Sequence, residues 1–236
     1  MSSKILNFFE IDSTSLEARR MIDLNSMQNN IIISAKIQTQ GRGRLDRAWI
    51  SLEGNLMFSI VIPESWVKNF NTLPACIGVA ICNEITPNEQ IKFKWPNDLI
   101  IIEDGLPRKF GGILIERYSG YFIIGIGINV AYFPSKDTIF PATNLLKHGI
   151  KISSEEKINE NLLTMLNGDQ QDVLTKWKMR HYFHGKNVKI NGIDGVFKDI
   201  DENFNAILDS VEIQNGTSDT NRVINTRHII TFGDVS

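Results

Sequence analysis

Residues 110–130, FGGILIERYSGYFIIGIGINV, contain two β-rich apolar runs separated only by Ser119 and Gly120. Two turn-forming residues between such runs dictate an antiparallel hairpin. A hairpin this apolar has to lie inside a larger sheet, and five further runs can supply it. They are ILNFFEI near the N-terminus, NIIISAKIQ at 30–38, NLMFSIVI at 55–62, IKFKW ending at Pro96, and LIII at 99–102, which EDGLPR joins to the hairpin. Seven strands are therefore expected. DSTSLEARRMIDL reads as a helix capped by Ser13 or Thr14, with capping-box spacing from Thr14 to Glu17. LPACIGVAICNEI, 73–85, reads as a buried helix, and 153–167 and 168–182 as two more. Beyond HGK the pattern changes to short strands separated by turn residues: NVKI, GVFKDI, NAILDSVEIQ and RVINTRHIITF, with NGTSDTN, 215–221, as a polar hairpin tip. The expectation is an α+β chain: a mixed β-sheet domain with packed helices over 1–183, and a small β-barrel over 184–236. The second unit is too short for much core of its own and should pack against the first.

A chain of 236 residues with 42% hydrophobic content can bury a real core. Its net charge of −2 argues against a general nucleic-acid or membrane-surface binder. Lys4, Glu10, Asp12 and Glu17 do not fit a signal or transit peptide, and FIIGIGI, 122–128, is too short to cross a bilayer. Cys76 and Cys82 lie in an apolar segment without metal-type spacing, which reads as reduced core thiols of a cytoplasmic protein.

Candidate site chemistry concentrates in three places. TQGRGRLDRAWIS, 39–51, packs Arg42, Arg44 and Arg47 around two glycines in a long strand-to-strand connection. Glycines allow close backbone approach and arginines offer planar forks of donors, so phosphate or carboxylate is a suitable guest; a nucleic-acid contact or a solvated loop is the other reading. KWPND, 94–98, puts Lys94 at a strand end before a proline-forced turn, pointing either into a site or into solvent. Gly125 and Gly127 share one strand face while Ile124, Ile126 and Ile128 fill the other. Bare backbone on one face suits either a flat ligand or a closely packed helix. His181 and His184 have helical spacing but lack a third metal ligand, and His148 and His228 are isolated.

QTQGRGRLDRAWIS, KWPNDL, KFGGILIE and GIGINV, in this order and spacing, resemble the biotin protein ligases, and DSTS matches that family's biotin-pocket opening. The resemblance covers essentially the whole chain. Asp46 stands where many members have glycine, and the winged helix-turn-helix of bifunctional members is not seen ahead of the first strand, as in the monofunctional form. The resemblance implies a class II aminoacyl-tRNA synthetase-like catalytic domain at 1–183 and an SH3-like domain at 184–236. It implies that biotin and ATP, with Mg2+, form biotinyl-5'-AMP and pyrophosphate. The biotinyl group then passes to one lysine of a biotin carboxyl carrier domain, as in acetyl-CoA carboxylase.

By the same resemblance Lys94, Arg42 and Arg44 are catalytic, with Lys94 between the biotin carboxylate and the α-phosphate. Biotin would be held by Ser13, Thr14, Ser15, Gln38, Gly41, Arg42, Gly43, Arg44, Lys94, Gly112, Gly125 and Gly127. ATP would be held by Arg44, Arg47, Trp49, Lys94, Asn97 and Asn129, with no direct protein ligand to the metal. Trp49 either covers the adenine or plugs the core, and Glu116 either organises the surroundings or touches substrate. Several cations are needed because a carboxylate about 4 Å from a phosphate costs on the order of 4 kcal/mol per charge pair at an effective dielectric near 20. A monomer or homodimer is expected, without membrane or nucleic-acid partners. A lipoate or octanoate ligase would instead carry an arginine-rich, triple-glycine motif. A nucleic-acid-binding regulator would need a basic helix-turn-helix. Residues 40–48 are expected to be mobile until an anion arrives, since their arginines lack a mutual partner.

Overall fold

A computed structural model describes residues 3–27, 30–45, 47–134, 140–214 and 222–231. Strands β1 (Lys4–Ile11), β2 (Ile31–Gln38), β3 (Leu56–Pro63), β4 (Ile85–Thr86), β5 (Ile91–Lys94), β6 (Asp98–Glu103), β7 (Leu106–Tyr118) and β8 (Tyr121–Ile128) precede β9 (Lys151–Ile152). Then come β10 (Asn187–Ile190), β11 (Ile193–Ile200), β12 (Ala206–Gln214) and β13 (Arg222–Ile230). The helices are α1 (Thr14–Asp23), α2 (Leu73–Asn83), α3 (Glu155–Asn167) and α4 (Gln170–Arg180).

The seven long strands of the first part form one mixed sheet in the order β1-β2-β3-β8-β7-β6-β5. Only β1 and β2 run parallel, which α1 makes possible as their crossover. The β7–β8 hairpin turns on Ser119 and Gly120, both at positive φ, 46° and 83°, as a two-residue hairpin turn requires. The short pair β4–β9 is antiparallel.

The strand alternation sends Phe58, Ile60, Ile124, Ile126 and Ile128 to the face covered by α2. Helix α2 is apolar on every side because sheet, α3 and α4 surround it, and Leu73 to Cys82 are all buried. Cys76 and Cys82 are free thiols in this layer, and burial pushes Cys76 up to about 12. On the other face Ile31, Ile33, Val61 and Ile123 pack beneath Ala18 and Ile22 of α1. Helix α1 is too short to cover that whole face. Where it stops, the strand that buries Ile123 continues as Gly125 and Gly127 and becomes the floor of a cleft.

The second unit is a four-stranded antiparallel sheet in the order β10-β11-β12-β13. Among the described residues no ladder joins β13 back to β10, so the sheet is open where a barrel was expected. It completes its core against the first part: Phe197, Phe204, Leu208 and Ile230 belong to one buried cluster with Trp95, just after β5, and Trp177 of α4. The Trp95 indole N–H donates to the Phe204 carbonyl at 2.9 Å. Asp46 and the 215–221 tip lie outside the described residues.

Two local expectations fail. The capping box at Thr14–Glu17 does not form, and Ser13, at the N-cap, makes no side-chain cap bond. The hydroxyls are engaged elsewhere, as the cleft shows. Helix α4 ends at Arg180, so His181 and His184 are not helical neighbours. His181 instead lies between Trp177 and Phe197, ring centroids 4.9 and 4.2 Å away, and its Nε2 accepts from the Trp95 amide at 3.3 Å.

Candidate active site

The cleft over Gly112, Gly125 and Gly127 has a volume of about 1110 Å³. The N-terminus of α1 closes one end, the 39–51 loop and the Lys94–Asp98 turn form the walls, and β10 of the C-terminal sheet reaches the other end. Its described lining carries Arg42, Arg44, Arg47, Lys94, Lys109 and Lys189 against one carboxylate, Asp98. Such a balance, in a chain of net charge −2, marks a site for anions.

The α1 end is polar and buried. Ser13, Thr14 and Ser15 are 2%, 3% and 4% exposed. Thr14 donates from both its amide, 2.9 Å, and its hydroxyl, 3.1 Å, to Gln38 Oε1. The Thr14 hydroxyl also lies 2.8 Å from Ser59 Oγ, Ser13 Oγ lies 3.0 Å from Ser15 Oγ, and Gln38 Nε2 donates to Ser51 at 3.3 Å. The helix start forgoes its own cap to build this cluster. A few hydrogen-bonding groups in an apolar wall suit a ligand with a small polar head. Ser51 and Ser59 were not anticipated, since a lone serine in or near a strand gives no signal of its own.

The 39–51 loop folds back on itself. Arg42 and Ala48 form an antiparallel bridge, Trp49 N–H donates to Gly41 O at 2.8 Å, and Gly43 N–H donates to Arg47 O at 2.7 Å. Gly41 is glycine for this crossing and does not line the cleft: a Cβ there would fall 2.4 Å from the Trp49 carbonyl oxygen. Gly43, two residues on, does line the cleft. Arg42 and Arg44 are not partnerless. Arg42 Nη1 donates to Glu116 at 3.0 Å, and Arg44 Nη1 reaches Asn97 Oδ1 at 3.4 Å. Burial lowers the Arg44 pKa, Asp98 opposes that shift, and Arg47 adds to it.

Trp49 lies on the glycine floor, its indole over Gly127 and its ring edge near Gly112. Beside it Lys109 Nζ sits 5.6 Å from the ring centroid and donates to Asp98 Oδ1 at 2.6 Å. Lys94 Nζ holds the other Asp98 oxygen at 2.8 Å and lies 5.2 Å from the Phe140 ring. Burial pushes the Asp98 carboxyl up, but Lys109 and Lys94 more than offset it and hold its pKa below the ordinary value. One carboxylate thus fixes two ammonium groups at the middle of the cleft. Asn97 and Asn129 also line it, with their amide N–H groups committed to Ile113 O and Thr143 O. Among the described residues no group of three or more His, Cys, Asp or Glu is placed to hold a metal.

Lys109 was missed, although it opens the KFGGILIE motif. Strand alternation from Gly112 would send residue 109 to the opposite face. A bulge between Leu99 and Ile100 shifts the register, so that Gly111 pairs with Leu99 and Lys109 with Ile100. Phe110 then enters the core and Lys109 turns to the cleft.

The chain is 35% identical over 129 residues to the bifunctional ligase/repressor of Bacillus spizizenii, spanning 51% of this chain and 38% of that protein. It is 26% identical over 203 residues to the biotin–acetyl-CoA-carboxylase ligase of Mycobacterium tuberculosis, covering 77% of this chain and 74% of the relative. The structure of the biotin protein ligase from Aquifex aeolicus in complex with biotin and ATP aligns over 96% of this chain and 99% of its own, with a TM-score of 0.71 and 26% identity. The family model for biotin/lipoate A/B protein ligases matches residues 9–131, from the α1 approach through the glycine strand. The chain belongs to the biotin/lipoate A/B protein ligase family.

Proposed function

We propose that the chain is a biotin protein ligase, joining biotin to ATP and passing the biotinyl group to a lysine of a carboxylase carrier domain. The observation that carries this reading is the juxtaposition, in one cleft, of the polar Ser13–Thr14–Gln38 cluster with the Lys94–Asp98–Lys109 centre. The former suits the ureido head of biotin and the latter the point where a carboxylate meets a phosphate. In the first step a carboxylate oxygen of biotin bonds to the α-phosphorus while the α–β bridging oxygen leaves with pyrophosphate. The two ammonium groups, with Arg44 and Arg47, counter the charge that crowds there and grows on the leaving oxygen. In the second step the amine of the acceptor lysine attacks the acyl carbon, AMP leaves, and the amine loses a proton as the amide forms.

The only carboxylate among the described lining residues, Asp98, is engaged by two lysines. Mg2+ therefore fits as an escort of the ATP phosphates, neutralising them, rather than as an ion in a protein cage. Residues 1–183 would form the catalytic domain, and 184–236 an SH3-like unit whose β10 walls the nucleotide end. Use of ATP and a carrier domain suits the cytoplasm, with the enzyme a monomer or homodimer that needs no nucleic acid or membrane. Gly125 leaves open backbone on which a ligand can lie close to the sheet, while the Trp49 indole covers Gly127; Trp49 and Phe140 offer aromatic faces beside that opening.

Pyrophosphate release in the presence of biotin, lipoate or octanoate, followed by transfer to a carrier domain, tests the proposal. Biotin alone should support both steps. Release that depends on lipoate or octanoate instead would overturn it.

A further inference from the structure

Glu116 lies on the cleft side of β7, two residues beyond Leu114, which lines the cleft, yet it does not itself reach the cavity. Its side chain is 4% exposed. One oxygen, Oε1, receives two guanidinium groups: Arg42 of the 39–51 loop at 3.0 Å and Arg19 of α1 at 2.7 Å. Both arginines are about one-third exposed, 36% and 33%, so the buried partner is the carboxylate alone. Arg19 has a second support in the Tyr118 ring, 4.9 Å from its guanidinium carbon. Glu116 is the ion-pair partner of Arg42 among the described residues. The other oxygen, Oε2, is buried and has no hydrogen-bond partner among them, so the carboxylate can take a further donor without releasing the first.

The two arginines come from the two walls of the polar end. Arg19 sits on the helix whose first turn presents Ser13, Thr14 and Ser15, and Arg42 sits in the loop that faces them across the cleft. A buried carboxylate between them ties loop to helix through the sheet beneath.

We infer that Glu116 is a positioning residue: through Arg42 it holds the 39–51 loop closed against α1 before any ligand binds, and so presets the biotin end of the cleft. The identity of the ligand rests on the ligase reading; the restraint on the loop does not. Pre-organisation of this kind strengthens binding by removing an ordering cost that the ligand would otherwise have to overcome.

The full-length chain is treated with trypsin without ligand, and cleavage after Arg44 or Arg47 is timed in the parent and in Glu116→Gln, Arg42→Gln, Arg19→Gln and the double Glu116→Gln/Arg42→Gln variant. Loss of one charged hydrogen bond should speed cleavage about tenfold in Glu116→Gln and in Arg42→Gln. The double variant should be no faster than either, because both remove one interaction. Arg19→Gln should stay within about twofold of the parent, since Arg42 keeps its partner. Biotin affinity, by calorimetry, should fall in parallel with loop opening across the series. Parent-like cleavage of Glu116→Gln, or additive effects in the double variant, would overturn the role of Glu116. If Glu116→Gln does not fold, equal cleavage of Arg42→Gln and Arg19→Gln overturns it instead. A parent that binds no biotin, with the cleavage pattern intact, would refute the ligase reading and leave the loop restraint standing.

Discussion

The indole of Trp49 occupies the space where a side chain at Gly127 would stand: a Cβ built there falls 2.4 Å from Trp49 Cε2. Gly125, two residues earlier on the same face, is different, for its Cβ would meet Leu114 at an ordinary 3.6 Å. Gly127→Ala should therefore push the tryptophan off the floor and slow adenylation by about tenfold or more, since small misplacements at a reacting centre are costly. Gly125→Ala should leave the melting temperature unchanged and weaken biotin binding by about tenfold, one methyl group being enough to fill a fitted pocket. Equal behaviour of the two variants in melting and biotin titration would contradict this division.

Lys109 and Lys94 share Asp98, so neither cation is held alone. Lys109→Ala and Lys94→Ala should each slow pyrophosphate release by about 10² to 10³ at saturating substrates, the size typical for loss of one preorganised charge on the transition state. The fold should survive, because both side chains are more than one-quarter exposed. A near-normal rate in either variant would remove that lysine from the reaction.

His181 is neutral in the fold: burial, together with His184, lowers its pKa from 6.5 to about 3, with Asp199 opposing. The unfolded chain therefore binds a proton that the folded chain refuses between those two values. Stability is complete above about pH 6.5 and falls as the pH drops toward 3, by at most about 1.4 kcal/mol per pH unit from this group. In His181→Gln, denaturant midpoints measured from pH 7 to 4 should show a shallower acid slope than the parent. An unchanged slope would assign the acid sensitivity to other groups.

Removal of residues 184–236 should unfold the chain rather than uncouple one activity. Phe197, Phe204, Leu208 and Ile230 share a core with Trp95 and Trp177. At about 1.5–3 kcal/mol for each large side chain returned to water, the loss is comparable with a typical total stability of about 5–15 kcal/mol. A truncation ending at Phe183 that melts cooperatively at the parent temperature would show that the two sheets are energetically independent.

A more local expectation concerns the 40–48 loop, which the arginine composition alone suggests should be loose. The pairing of Arg42 with Glu116 lies 74 positions apart in sequence, and that of Arg44 with Asn97 lies 53 apart. No local pattern announces such partners, because a carboxylate on a distant strand supplies the charge that the loop lacks.

Hydrophobic period and turn chemistry are local properties, and they determined the seven strands, the four helices and the Ser119–Gly120 hairpin from the sequence by itself. The motif residues likewise announced the cationic loop, the Lys94 turn and the glycine floor. Tertiary structure decided what those residues do. It diverted the hydroxyls of Ser13 and Thr14 from capping α1 to the polar end of the cleft. Among the described residues it left the C-terminal sheet open, with Trp95 and Trp177 of the first part in the core that the sheet buries. It brought Lys109 into the site through a bulge that reverses the strand alternation. Side-chain direction along a strand has a period of two, so one extra residue in the register moves a charge from one face to the other, and only pairing with the neighbouring strand reveals that residue.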